Sequence, residues 1–182
     1  MDADVFSGRL TNMLTRYRRQ LLPAQLNLLD SHDVSRFLSL CGGDVCPYRL
    51  SILFLMSFVG MPTIFYGDEL GIQGVLEAEY RSPMPWGGGN KPLQEFFRQA
   101  IAMRHELLPL RRGDFHILSA RPGSRLLVFQ RHWGTETVTV ALNCSTEAAL
   151  IPPMSGKVYW SEGLEGETLA GFGFAVLVDG QG

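Results

Sequence analysis

Two short polar segments contain the side chains best suited to catalysis or to binding a polar ligand. The first, DSHDVSR, follows the apolar residues 26–29 and places His32 beside Asp33. The second, GDELG, follows the apolar residues 63–66, and the sequence EAEYR comes soon after it. Carboxylates and a histidine in such loops can stabilise charge and exchange hydrogen bonds with a polar ligand. We therefore expect one polar site formed by both segments.

The helices and strands that hold these segments are predicted in the first part of the chain. Helical spacing predicts helices over residues 5–20, over residues 48–59 and after the capping residue Asn90, with apolar strands over 26–29 and 63–66 between them. This α, β, α, β, α order with solidly apolar strands is typical of parallel βα units. The loops at the carboxyl ends of parallel strands meet at one edge, where α/β folds hold their sites.

Beyond residue 112 the pattern changes to short alternating strands separated by the turn-rich sequences PGS, WGTE, PPMSG and EGLEGE. The predicted strands cover residues 115–120, 125–132, 137–143, 148–151, 157–160, 167–169 and 173–178. The fold class is therefore α/β over residues 1–112, followed by an all-β antiparallel sandwich over residues 113–182.

Composition excludes several classes of function. The chain has 182 residues, 46% of them hydrophobic, and a net charge of −2, so neither nucleic acid nor a membrane surface is an expected partner. Its most apolar stretch, residues 50–66, is broken by Gly60 and Pro62 and is too short to span a membrane. Three cysteines are too few for a disulfide scaffold, and the N-terminal residues lack a signal-peptide pattern. We expect a cytoplasmic protein.

Four motifs in order carry a resemblance to a known family: NLLDSHDVSRF, GMPTIFYGDELGIQG, RSPMPW and RHELLPLRRGDF. Together they resemble the C-terminal portion of an α-amylase superfamily glycoside hydrolase, in the branch of neopullulanases, cyclomaltodextrinases and maltogenic amylases. The resemblance implies the last βα units of a (β/α)8 TIM barrel, followed by a C-terminal β-sandwich. It also implies an α-glucan or maltooligosaccharide substrate, with no cofactor and no metal.

The resemblance implies roles for individual residues. Asp33 would stabilise the positive charge of an oxocarbenium-like transition state, which a fixed carboxylate can do, and is the expected catalytic residue. His32 and Arg81 would contact the sugar. Glu77 stands where the family has an aspartate four residues before the arginine, so it is a further substrate-binding candidate. Arg36 is the last such candidate, with orientation of a carboxylate or a surface ion pair as its alternatives.

Two other acidic motifs are interpreted as structural. Asp68 and Glu69 resemble a family turn whose carboxylates bind backbone amides and arginines at the rim. The sequence YWSE at residues 159–162 superficially resembles the family's general-acid motif, but it lies among the predicted sandwich strands.

The resemblance also implies that two catalytic groups are missing from the 182 residues. Retaining glycosidases use a nucleophile and a general acid, and the family carries both on barrel strands that precede the His-Asp motif. The residues before that motif contain no aspartate two positions after an arginine, and a complete barrel takes about 250 residues. We expect a piece of a barrel that is inactive alone and that forms a homo-oligomer through its βα part, where strand edges lack partners.

Two rival functions remain open at this point. A metal-dependent phosphohydrolase would need further ligands from His105, His116 and His132. A non-enzymatic carbohydrate-binding module would need Trp133 or Trp160 as an exposed stacking surface. Cys41 and Cys46 lie near the expected site without further ligands and are interpreted as spectator thiols.

Overall fold

The structure is a computed structural model that describes residues 1–180. The helices in this range are α1 (Ala3–Arg16), α2 (Phe37–Leu40), α3 (Val45–Ser57), α4 (Glu77–Tyr80), α5 (Lys91–Glu106) and α6 (Leu108–Arg112), with 3₁₀ helices at Arg19–Ala24 and Asp68–Leu70. The strands are β1 (Leu26–Asn27), β2 (Met61–Pro62), β3 (Asp114–Ala120), β4 (Leu126–Trp133), β5 (Glu136–Asn143), β6 (Ala149–Leu150), β7 (Lys157–Glu165) and β8 (Thr168–Asp179). No helix in the described range is long and apolar enough to cross a membrane.

The first part of the chain contains the predicted pair of parallel strands. β1 and β2 pair in parallel, Leu26 with Met61 and Asn27 with Pro62. β1 covers only the first two residues of the predicted strand 26–29. The second strand was predicted over 63–66, and that placement is wrong, because the ladder begins where the Met61 N–H donates to the carbonyl of Gln25 and β2 ends at Pro62. Because each of these strands pairs on one edge only within residues 1–180, their hydrogen-bonded ladder is short. The loops after β1 and β2 nevertheless leave the pair from the same end, as predicted.

The helices differ from prediction mainly at their ends. α1 stops at Arg16, and Pro23 lies in the separate 3₁₀ helix that follows. α3 begins three residues earlier than predicted, because the Asp44 side chain accepts the Cys46 N–H and caps the helix there. Asn90 caps α5 as predicted, accepting the Leu93 N–H at 3.0 Å.

The second part is an antiparallel β domain, so the predicted fold class, α/β followed by all-β, is confirmed. Six strands form one sheet in the order β3-β4-β5-β8-β6, with β7 also paired to β8. Seven strands were predicted, and that number is wrong, because the single strand β8 contains the predicted strand 173–178 and residues 168–169 of the predicted strand 167–169. A bend at Phe172, whose φ of 52° is left-handed, interrupts the alternation that the sequence pattern relies on.

One face of this sheet and the helices of the first part share a hydrophobic core. α3 is apolar on nearly all sides because it lies between α5 and the sheet, and Phe54 of α3 contacts Phe129 of β4 with ring centroids 5.7 Å apart. The core includes Leu53, Phe97, Met103, Val140, Phe174 and Val176. A smaller core covers the other face of the sheet, around Val128, Ala141 and Leu177. The two parts therefore pack as one body.

Two arginines, the buried Arg131 and the half-buried Arg104, satisfy the backbone where α3 ends. Arg104 of α5 donates to the carbonyls of Met56, Phe58 and Gly60 at 2.5–3.0 Å. Arg131 of β4 donates to the carbonyls of Ser57, Leu110 and Gly113 at 2.6–2.9 Å and is only 1% exposed. The last carbonyls of a helix have no intrahelical donors, so these guanidinium groups donate hydrogen bonds to them instead. Burial lowers the pKa of each arginine to about 10.

We predict that Arg131→Met destabilises the chain by about 3 kcal/mol, because it leaves three buried carbonyls without donors. Urea unfolding followed by circular dichroism measures this difference. Arg112→Met is the control, because Arg112 is exposed at the end of α6 and should change stability by less than about 0.5 kcal/mol. Equal effects of the two substitutions would contradict the role given to Arg131.

Candidate active site

The structure brings His32, Asp33 and Arg81 together at the end of the β1–β2 pair. Arg81 Nε donates to the His32 carbonyl at 2.8 Å, and Arg81 Nη2 lies 3.4 Å from Asp33 Oδ1. His32 Nε2 lies 3.3 Å from Asp33 Oδ2. The side chains of His32 and Asp33 are 67% and 68% exposed, and that of Arg81 is 46% exposed. The three polar groups therefore face solvent together.

Glu77 belongs to the same cluster through Arg81. Its Oε1 lies 2.7 Å from Arg81 Nη1, one helical turn along the chain. Helix α4, on which it sits, is fixed by Glu79, whose carboxylate accepts the N–H groups of Val75 and Leu76 at 2.9 and 3.0 Å. These two backbone N–H groups lower the pKa of Glu79. The carboxylate of Glu77 thus orients the guanidinium of Arg81.

Arg36 was expected as a substrate contact, and the structure contradicts this, because the residue is 0% exposed. Its guanidinium donates to Tyr66 O at 2.8 Å, to Tyr80 O at 3.1 Å and to Asp68 Oδ1 at 3.1 Å. It also stacks on the Phe65 ring, 4.1 Å from the centroid. Arg36 therefore lies behind the site and joins the segments that form it.

The GDE turn after β2 has the structural role predicted for Asp68. Asp68 is 5% exposed and accepts both Arg36 and the Phe65 N–H, the latter at 3.1 Å. Its burial, reinforced by the negative charge of nearby Asp30, raises its pKa to about 7, while Arg36 acts in the opposite direction. Asp30 was not predicted as part of this cluster, although it follows the apolar residues 26–29 directly. Its carboxylate accepts the Phe37 N–H at 2.6 Å.

A close backbone approach at Gly74 fixes the position of α4. Gly74 O accepts the Arg36 N–H at 2.9 Å, and Gly74 N–H donates to Ser39 Oγ at 2.8 Å. A Cβ at Gly74 would lie 2.5 Å from Tyr80 N and 2.6 Å from the carbonyl carbon of Glu79. Only glycine allows α4, and with it Arg81, to lie this close to the loop after β1.

The YWSE sequence is structural, as predicted. Tyr159 bonds Glu106, and Glu162 pairs with Arg49. Trp160 packs against Phe96 and Phe174, with ring centroids 4.9 Å apart in each pair. Trp160 is therefore partly buried against the core and not an exposed stacking surface.

Trp133 remains 47% exposed at the end of β4. The other three histidines lie in α5, β3 and β4, and no group of three or more His, Cys, Asp or Glu residues within residues 1–180 could hold a metal ion. Cys41 and Cys46 are free thiols whose pKa values are raised by burial.

Comparisons with known proteins show the family to which the chain is similar. Residues 2–107 match the family described as "Alpha amylase, catalytic domain". A cyclomaltodextrinase from Geobacillus thermopakistaniensis is 42% identical over 88% of this chain and 28% of its own length. Neopullulanase 2 from Thermoactinomyces vulgaris is 37% identical over 93% of this chain and 30% of its own length. The crystal structure of a debranching enzyme from Nostoc punctiforme superposes with a TM-score of 0.89 at 29% identity, over 100% of this chain and 40% of that one.

We predict that Gly74→Ala destabilises the chain by about 2 kcal/mol or displaces α4, because its Cβ meets backbone that cannot yield as a side chain can. Thermal unfolding, together with the amide chemical shifts of residues 75–81, measures both effects. Gly8→Ala is the control, since a Cβ there meets nothing within 4 Å. A Gly74→Ala chain with wild-type stability and wild-type shifts would show that the close approach does not hold α4.

Proposed function

Because the chain belongs to the α-amylase family, we propose that it forms the C-terminal part of a retaining α-glucan hydrolase that cleaves α-glucosidic bonds in carbohydrate metabolism. The chain spans 28–30% of the length of the two curated relatives described above, and those relatives are a cyclomaltodextrinase and a neopullulanase. Within that enzyme, this chain would bind the sugar and stabilise the positive charge of the transition state. A carbohydrate-binding module remains the second candidate, on the observation that Trp133 is half exposed.

The convergence of His32, Asp33 and Arg81 is the observation that supports this proposal. As a glycosidic bond breaks, positive charge develops on the sugar ring, and the fixed carboxylate of Asp33 would stabilise that charge more than it stabilises the neutral substrate. His32 and Arg81 carry hydrogen-bond donors that suit sugar hydroxyls. The contact between Arg81 Nη2 and Asp33, at 3.4 Å, is long enough to yield to a bound hydroxyl without loss of the shorter bond to the His32 carbonyl.

The complete reaction needs a nucleophile and a general acid about 5 to 5.5 Å apart. These would come from barrel strands that correspond to the part of the relatives not matched by this chain. We therefore propose that the 182 residues alone hydrolyse no glycosidic bond. We also propose residues 1–112 as part of the catalytic barrel and residues 113–182 as the C-terminal β domain.

We propose a cytoplasmic protein, since its cysteines in the described structure are free thiols, which suits a reducing compartment. With a net charge of −2, neither nucleic acid nor an anionic membrane is a proposed partner.

A homo-oligomer that buries the βα part is the proposed assembly. Among the described strands, β1 and β2 pair only with each other, so each has an open edge. Leu26 and Met61 on this pair are 66% and 46% exposed, and Leu28 next to it is 47% exposed. An apolar groove of about 830 Å³ lies beside them, lined by residues that include Phe6, Leu10 and Phe54. Open edges and apolar patches of this kind drive association.

We predict that Asp33→Asn lowers turnover about a hundredfold or more once the missing barrel is supplied, because the amide cannot stabilise the developing charge. The test joins this chain to the preceding residues of the Geobacillus cyclomaltodextrinase and measures reducing-sugar release from cyclodextrin and pullulan. Asp44→Asn, an exposed capping position outside the site, is the control and should keep its turnover. Unchanged turnover in Asp33→Asn, or sustained release by the 182 residues alone, would contradict the proposal.

We predict that light scattering at micromolar concentration gives a multiple of the 20.3 kDa monomer mass. Leu26→Lys with Met61→Lys should shift the mass toward the monomer, because a charge on each open strand opposes burial. Leu150→Lys, at a residue 76% exposed in β6, should leave the mass unchanged. A wild-type monomer that binds no exposed-hydrophobe dye would contradict this assembly.

A further inference from the structure

The loop between α4 and α5 presents one tryptophan to solvent. Trp86 is 87% exposed, whereas Trp133 is 47% exposed and Trp160 packs against the core. Leaving so large an apolar ring in water forgoes the stabilisation that burial gives, and tryptophan side chains are usually well buried. Packing within residues 1–180 therefore does not explain a tryptophan at this position.

The loop between these two helices is fixed at both ends. At its start the Tyr66 hydroxyl donates to Ser82 O at 2.8 Å, and at its end the Asn90 N–H donates to Leu70 O at 2.9 Å. Gly89 lies so close to Leu70 that a Cβ there would come within 2.6 Å of the Leu70 Cβ. The exposed tryptophan thus stands on a loop that is held against the segment after β2.

Trp86 occupies the corner of a β-turn in this loop. The Gly88 N–H donates to Pro85 O at 3.0 Å, so Trp86 and Gly87 are the two central residues of the turn. Gly87 has a φ of 78°, the left-handed conformation that a type II turn requires at its third residue. A Cβ at Gly87 would meet nothing within 4 Å. Because the residues after Trp86 are glycines, no side chain covers the ring from that side of the turn.

The tryptophan lies near the cluster of His32, Asp33 and Arg81. Ser82 follows Arg81 directly, and the four residues from Ser82 to Trp86 span at most about 15 Å even when fully extended. Arg81 in turn contacts the His32 carbonyl and the Asp33 carboxylate. The distance between the tryptophan and the polar cluster is therefore at most that of a few linked sugar units.

A sugar ring offers two kinds of surface, and the two places suit one each. The hydroxyls at its edge exchange hydrogen bonds, which the polar cluster can provide, whereas its C–H groups form apolar faces that pack on a flat aromatic ring. The indole N–H of a tryptophan can also donate to a hydroxyl. A protein partner would need an apolar patch around the tryptophan, and the glycines at 87–89 supply no apolar side chain for one.

We propose that Trp86 is a specificity-determining residue that stacks on a glucose unit of an α-glucan chain, beyond the unit held by His32, Asp33 and Arg81. The site then prefers maltooligosaccharides that are long enough to reach both places. This inference rests on the proposed function, because it assigns Trp86 to the same site. It adds a preference for chain length, which the polar cluster alone does not determine.

Titration of the ¹⁵N-labelled chain with maltose and with maltohexaose tests this inference. The reporters are the indole N–H of Trp86 and, for the polar cluster, the Arg81 Nε–H. We expect maltohexaose to shift both signals with one common dissociation constant, and maltose to shift only the Arg81 signal. Trp86→Ala should weaken maltohexaose binding about tenfold and leave maltose binding unchanged, because only the longer sugar loses a stacking contact. Trp86→Phe, which keeps a flat ring, should restore most of the affinity.

Tyr17→Ala is the matched control, because Tyr17 is an aromatic residue, 49% exposed, at the end of α1 and outside the site. It should leave both affinities unchanged. Equal maltohexaose binding by the wild type and Trp86→Ala, with the Arg81 signal still shifting, would overturn the role of Trp86 and leave the proposed function standing. If neither sugar shifts the Arg81 signal, the proposed function fails together with this inference. A lower mass of Trp86→Ala in light scattering, with sugar binding unchanged, would overturn the inference in favour of a contact between copies of the chain.

Discussion

The segments of the candidate site are held together by one buried guanidinium, that of Arg36. The two parallel strands below the site pair over only two residues each, which is too little to fix the loops that follow them. Arg36 supplies the missing constraint through bonds to Tyr66 O, Tyr80 O and Asp68, and through its backbone N–H to Gly74 O. Because it lies three residues after Asp33 in the chain, whatever holds Arg36 also holds that carboxylate.

The packing of the whole molecule supports this constraint. α3 is buried between α5 and the sheet, and the hydroxyl of its Tyr48 lies 3.4 Å from the carbonyl oxygen of Asp68. Its C-terminal carbonyls are satisfied from α5 by Arg104 and from β4 by Arg131. The β domain thus helps to hold the helix that contacts Asp68. Loss of that packing would expose the buried carboxyl of Asp68 and release the loops.

The sequence predicted correctly the features that depend on residues close to one another in the chain or on the family motifs. Alternating strands, the cap at Asn90 and the placing of His32, Asp33 and Arg81 on one rim followed from spacing and from the family resemblance. The burial of Arg36 could not be predicted in this way, because it depends on carbonyls 30 and 44 residues further along the chain. The joining of two predicted strands into β8 depends on a left-handed Phe172, a conformation that its residue type does not indicate.

We propose that His32, Asp33 and Arg81 form one sugar-binding surface. Titration of maltotriose into the ¹⁵N-labelled chain tests this proposal, with the amides of His32 and Asp33 and the Arg81 Nε–H as reporters. We expect these three signals to shift together and to saturate at one common sugar concentration. Shifts confined to the surroundings of Trp133, with those three signals unmoved, would contradict the claim and favour a binding module in the β domain.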